Sequence, residues 1–263
     1  GTVPAEPLVE NIAALAAELR QNPQTDRARL APLEKRLERV RKVAEQVPED
    51  LYHAKQALFF ELCHIQREVA LLNPLLDFDR ILFIKRPEPY MCPGGFAQPQ
   101  DFGTNAVGGG GLYVLDEPFS RQPVLNDLLA EAGVESGRLK GRKLDYGDFL
   151  ASELTWDGKA VYFAPTEHQN GLSRPPLKWV CETRTPETTY HIYRIGVDGT
   201  GLRQITDGPF NDFDPVELPS GRIAFISERR GGYGRSGPYR VYTLHTMEPD
   251  GGDIVRISHG ETN

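Results

Sequence analysis

Three observations predict a mainly β chain preceded by a helical segment. From residue 80 onward, short runs of β-branched and aromatic residues recur, separated by Gly-, Asp- and Pro-rich punctuation. The stretch after Asp198-Gly199 returns after Asp250-Gly251, an offset of 52 residues that sets Leu202 on Ile254, Ile205 on Ile257 and Gly208 on Gly260. Ahead of residue 77 the apolar residues fall at helical spacing instead. Four short strands per repeat, joined by tight turns, is the pattern of a β-propeller blade.

The helical segment, residues 1–76, comes first. Leu8, Ile12, Leu15 and Leu19 share one face of a helix over 7–20, which the Pro23–Asp26 cluster ends. Thr25 or Asp26 is placed to cap a second helix over 27–46, with Leu30, Leu33, Leu37, Val40 and Val43 on one stripe. Pro32 suits a first turn, so the start is expected a few residues later. A third helix over 49–72 would bury Leu51, Ala54, Leu58, Leu62, Ile65 and Val69, and Asn73-Pro74 stops it. The short link makes helices two and three an antiparallel hairpin. His53 and His64 are about three turns apart, too far to share a metal.

Residues 77–263 then read as about three blades, near 79–148, 149–212 and 213–263. The last has strands a 213–218, b 222–227, c 239–247 and d 253–258. The middle one has a 149–155, b 159–164, c 189–197 and d 202–206. The first begins at b (80–84) and c (112–115), with d near 142–144 and a short helix expected over 124–132. Asp-Gly between alternating runs predicts two-residue turns whose central residues both take positive φ. The run DGK-x-V-x-F at residues 157–163, followed by IYRIGVDGTGLRQIT, resembles TolB-like (PD40) propeller repeats over most of residues 79–263. That resemblance speaks to architecture, because the repeat serves many tasks.

Three blades fall short of the four or more that close a ring. Residues 258–263 also match 206–211, after which another inner strand is due. The expectation is an incomplete ring, completed by a second chain or by a C-terminal part. The net charge of −7, with no basic tract, gives no nucleic-acid footprint. No apolar run is long enough to span a membrane, and no signal peptide is visible. Cys63, Cys92 and Cys181 form no CxxC, CxxCH or zinc-ribbon spacing.

In a propeller the a–b and c–d turns lie at one end and the b–c and d–a connections at the other. Here the former are minimal, while the b–c connections 86–111, 165–187 and 229–238 are long and varied. A working surface is therefore expected at the long-connection end. It collects the candidate ligand-binding residues Arg86, Glu167, His168, Asp212, Asp214, Glu228, Arg229 and Arg230, carboxylates and cations suited to an anionic or metal-bearing ligand. The plainer alternative makes Asp212 and Asp214 turn caps and pairs Arg229 with a carboxylate of a neighbouring blade. Cys92, His168, Cys181 and His191 are of metal-ligand type, although their spacing matches no standard site. No GxSxG elbow is present, and no catalytic residue is assigned.

The stretches LLNPLLDFDRILFIKR, GGGGLYVLDEP, LTWDGKAVYFAPTE and ITDGPFNDFDPVELPSGRIAFISERR together resemble the alpha subunit of hydrazine synthase and its planctomycete-type homologues, over about residues 70–263. Members of that family are exported, and the enzyme uses c-type haem to make hydrazine from nitric oxide and ammonium. The resemblance implies a periplasmic or secreted protein and an oxidoreductase assembly holding c-type haem or a metal ion. Residues 1–263 contain no CxxCH, so any haem would sit downstream or on a partner. The favoured expectation is a propeller scaffold that binds a ligand, haem domain or partner. The alternative is part of a c-type-haem redox enzyme of nitrogen metabolism.

Overall fold

The structure, a computed structural model, describes residues 5–48, 50–87, 108–145, 147–167, 185–233 and 240–259. It divides into two compact units, Gly1–Asp79 and Arg80–Asn263.

The first unit packs helices α1 (Ala5–Gln21), α2 (Arg27–Gln46) and α3 (Tyr52–Ala70) around Ile12, Leu30, Leu62 and Ile65. These apolar rows pack because burying each such side chain stabilises by about 1.5–3 kcal/mol. The Asp26 carboxylate accepts from the Ala28 and Arg29 amides and caps α2. The helix therefore starts at Arg27 and carries Pro32 inside it, not in its first turn. Val43 and Leu51, expected on buried faces, are exposed: Val43 lies in the last turn of α2 and Leu51 precedes α3 as its cap. Arg36 joins α2 to α3 by pairing with Glu61 at 2.6 Å and Glu68 at 3.2 Å.

The second unit is built of antiparallel sheets. The first sheet orders β1 (Arg80–Lys85), β2 (Gly111–Asp116) and β3 (Val124–Asp127). The second runs in chain order through β4 (Asp148–Leu154), β5 (Ala160–Thr166), β6 (Tyr193–Gly196) and β7 (Arg203–Gln204). The third repeats that order with β8 (Asp212–Glu217), β9 (Ile223–Ser227), β10 (Thr243–Met247) and β11 (Val255–Arg256). One expectation fails here. Residues 124–127 form a strand against β2, with Leu125 opposite Leu115, so they are not helical, and they take the d place that was expected near 142–144. The hydrogen-bonding edge of β2 overrides the local helix preference of that Leu-rich stretch.

The turns also differ from expectation. The amides of Gly199 and Gly251 bond back to the carbonyls of Gly196 and Glu248 at 2.9 Å each. Only the glycines take positive φ (81° and 88°), and the aspartates do not. Asp198 and Asp250 instead accept the amides two residues on through their carboxylates. These are three-residue loops, a type I turn followed by a left-handed glycine, in place of two-residue mirror-image turns.

The inner strands of the second sheet present apolar side chains to both faces. Phe149, Val161, Phe163, Tyr193 and Ile195 pack against Leu82, Ile84, Leu112 and Val114 of the first sheet. The opposite face of the second sheet, with Tyr162 and Ile192, meets Ile223, Phe225 and Met247 of the third. The segment after β3 buries Val134, Leu139 and Leu144 in the first of these cores. It also bonds beside and along β7, from the Glu135 amide to the Leu202 carbonyl at 2.8 Å and from the Gln204 amide to the Ser136 carbonyl at 3.4 Å, and so delivers Arg138 to the end of the second sheet.

Candidate functional site

At the long-connection end, the inner strands start and their neighbours finish. β4 opens on Asp148 opposite Thr166, and β8 opens on Asp212 opposite Ser227. Both aspartates have no solvent exposure, so each needs donors to offset its desolvation. The Asp212 carboxylate accepts from the Ser227 hydroxyl and from Arg229 Nη2, at 2.6 Å each. The Asp148 carboxylate accepts from the Phe149 amide at 2.9 Å and from the Tyr190 hydroxyl at 2.6 Å. Burial, and then the negative Asp148, push the Tyr190 phenol well above its ordinary range. The entry to β4 is tightly fitted: Gly147 has φ of 116°, and a Cβ there would come within 2.0 Å of the Thr166 carbonyl oxygen.

Glu167, just beyond β5, anchors a second group. It accepts from Arg138 Nη1 at 2.6 Å and from Arg142 Nη1 at 3.1 Å. Arg138 also donates to the Pro186 carbonyl at 3.0 Å and to the Asp207 carboxylate at 3.5 Å. His191, 2% exposed, lies 3.6 Å from that same carboxylate. Its Nε2 sits 2.8 Å from the Pro186 carbonyl, an acceptor, so the proton resides on Nε2. Burial lowers its basicity below the usual imidazole value. Asp207 then links the two groups, because its backbone carbonyl accepts from Arg229 Nη2 at 3.1 Å. Arg229 further covers the Phe210 ring at 5.2 Å.

Glu167, Asp212, Glu228, Arg229 and His191 are thus gathered at one end of the second and third sheets. Glu228 is buried and accepts from the Asn211 amide at 3.3 Å. Arg229 pairs within its own sheet, with Asp212. Arg230 is exposed, and Arg86, also exposed, follows β1 of the first sheet. Asp214 is exposed in a bulge of β8 with φ of 51°, a conformation Asp tolerates better than most residues. His168, Cys92 and Cys181 lie outside the described residues. Among the described residues no three His, Cys, Asp or Glu side chains come together as a metal site.

Sequence reasoning passed over Asp148, Arg138, Arg142 and Asp207. For Asp148 a signal existed: Asp148-Phe149 with Glu153-Leu154 repeats Asp212-Phe213 with Glu217-Leu218. Arg138 and Arg142 come from an insertion without a counterpart in the other repeats, so no register pointed to them.

The arrangement joins carboxylates to guanidinium groups in mutual bonds at a partly exposed rim. Arg142 is 54% exposed, Glu187 60% and Asp207 48%. That chemistry suits charge-directed recognition.

No family model and no curated protein matches the chain. Several solved structures are similar to it. One, described as TolB from Agrobacterium tumefaciens, is 19% identical over 56% of this chain and 40% of its own, with a TM-score of 0.34. Kuenenia stuttgartiensis hydrazine synthase is 17% identical over 64% and 21%, at 0.37. An oligogalacturonate lyase in complex with manganese is 12% identical over 68% and 38%, at 0.35. The chain thus spans less than half of each of these, and the similarity does not single out hydrazine synthase among them. No helix among the described residues is long and apolar enough to cross a membrane.

Proposed function

We propose that residues 79–148, 149–212 and 213–263 are three successive blades of an incomplete β-propeller that works as a binding module of an exported protein. The module engages a partner, a ligand or a haem-bearing domain through its long-connection end. One observation carries the reading: the two ends of the same sheets are built differently. At one end of the second and third sheets the strands are joined by short glycine turns of three or four residues, with Arg222 paired to Glu248 and Asp253 beside them. The other gathers Arg138, Arg142, Glu167, Glu187, Asp207, Asp212 and Arg229 into a joined charged rim. A rigid β scaffold that elaborates one end is the usual way to hold a recognition surface.

The buried aspartates and Arg229 hold the ends of the strands in register, and the exposed members of the rim meet the partner. The test is recovery of the tagged protein from its own host, followed by a hydrogen-exchange footprint of the complex. Protection over residues 135–142, 185–191 and 207–211 is expected. Protection confined to the turns at 156–158, 198–201, 219–221 and 250–252 would overturn the reading. A Soret absorption band in the recovered complex would mark the partner as haem-bearing.

A further inference from the structure

Among the described residues the first sheet has one strand fewer than the other two. β5 and β9 each pair on one side with an inner strand, β4 or β8. β1 occupies the same place in the repeat, and among the described residues no strand pairs with its other edge. An exposed strand edge is a row of unpaired amides and carbonyls, a template for a further strand.

Side chains beside this edge specify what fits. In the second sheet Phe149 of the inner strand stacks on Phe163 at 6.3 Å, and Phe163 packs on Tyr193 at 6.1 Å. In the first sheet Phe83 and Tyr113 form the corresponding pair, stacked at 5.9 Å and half-buried. Each of the other inner strands also opens on a buried aspartate, opposite Thr166 or Ser227. The matching stretch of β1 ends in Lys85-Arg86, and Lys85 is exposed. A cation thus stands where an incoming carboxylate would be placed, as Arg229 does for Asp212.

We propose that the open edge of β1 accepts an inner-type strand from outside residues 1–263, one that begins Asp-aromatic. It adds as the fourth strand of the first sheet, completes the Phe83–Tyr113 aromatic row and sets its aspartate against Lys85. This rests on reading the three sheets as copies of one unit. A second copy of the chain is a poor donor, because its Asp-Phe strands, β4 and β8, are already paired with β5 and β9. Strand addition of this kind takes affinity from main-chain bonds and selectivity from alternate side chains.

The probe is a labelled synthetic peptide with the sequence of residues 147–155, titrated into the purified chain by fluorescence anisotropy. Saturable binding is expected, with new hydrogen-exchange protection over residues 80–85. A peptide carrying Asp148→Lys, or the protein variant Lys85→Glu, should each weaken binding at least tenfold. The two together should restore at least threefold of that loss. A peptide carrying Phe149→Ser should also lose at least tenfold. Lys85 is exposed, so the variant should keep the wild-type melting temperature. Equal binding of a scrambled peptide, failure of the charge swap, or protection mapping to β3 or β11 would overturn the proposal. So would a dimer in sedimentation equilibrium whose β1 is already protected without peptide, since the edge would then belong to a second copy. Should the peptide fail while the partner footprint stays at the long-connection end, this inference alone falls.

Discussion

The Asp212 carboxylate lies 2.6 Å from the Arg229 guanidinium, with Asp212 fully enclosed and Arg229 19% exposed. Removing one partner leaves the other charge in a poorly solvated site, a cost of about 3–5 kcal/mol. Asp212→Ala and Arg229→Met should each lower the unfolding free energy by about 3 kcal/mol, measured in urea. The double variant should lose clearly less than the sum. Additive losses would mean that the two groups do not hold each other.

Ile192 and Leu244 occupy the same position in successive repeats, 52 residues apart as Tyr190 and Tyr242 are. Ile192 is fully buried against the third sheet, whereas Leu244 is 46% exposed on the far face of that sheet. Ile192→Ala should therefore cost about 2–5 kcal/mol, and Leu244→Ala no more than about 0.5 kcal/mol. Thermal or urea unfolding of the two variants checks the difference. Comparable losses would show that the third sheet is covered within the chain.

Much of this was legible in the sequence, because local chemistry decided it. The β1, β5 and β9 strands, the four tight turns and the three helices all follow from alternation, glycine placement and helical spacing. Residues 124–127 were not legible, since Leu-Asn-Asp-Leu-Leu prefers a helix until β2 offers an edge. Arg138 reaches Glu167 across 29 positions of sequence, from an insertion whose path no repeat predicts. Asp148 is different. Its match to Asp212 was in the sequence, but a register begun at Phe149 cut it off.

Burial holds the His191 imidazole below its ordinary value near 6.5, so it is neutral in the folded chain. The unfolded chain regains the ordinary value and takes up a proton as the pH falls through it. His191 therefore contributes stability fully above about pH 6.5, and that contribution is lost on acidification. His245, lowered by burial as well, acts in the same sense. Unfolding free energy measured from about pH 7 to 5 should fall more steeply in the wild type than in His191→Gln. Equal slopes would contradict the burial argument.

Tyr190 and Tyr193 are held protonated by burial, Tyr190 with the added repulsion of Asp148. A tyrosinate absorbance titration should accordingly show a part of the tyrosine signal that appears only as the protein unfolds. Tyr190→Phe should reduce that late part and destabilise by about 1–3 kcal/mol, because Asp148 loses a buried donor.

The most direct test of the central claim compares added negative charge at the two ends of the sheets. Arg142→Glu with Arg230→Glu alters the long-connection end, and Lys159→Glu with Ser220→Glu alters the turn end; all four residues are exposed. Affinity for the partner recovered from the host would be measured for both double variants. We expect the first to weaken binding at least tenfold and the second to bind as the wild type does. Equal affinities, or a loss confined to the turn-end variant, would show that the long-connection end is not the working face.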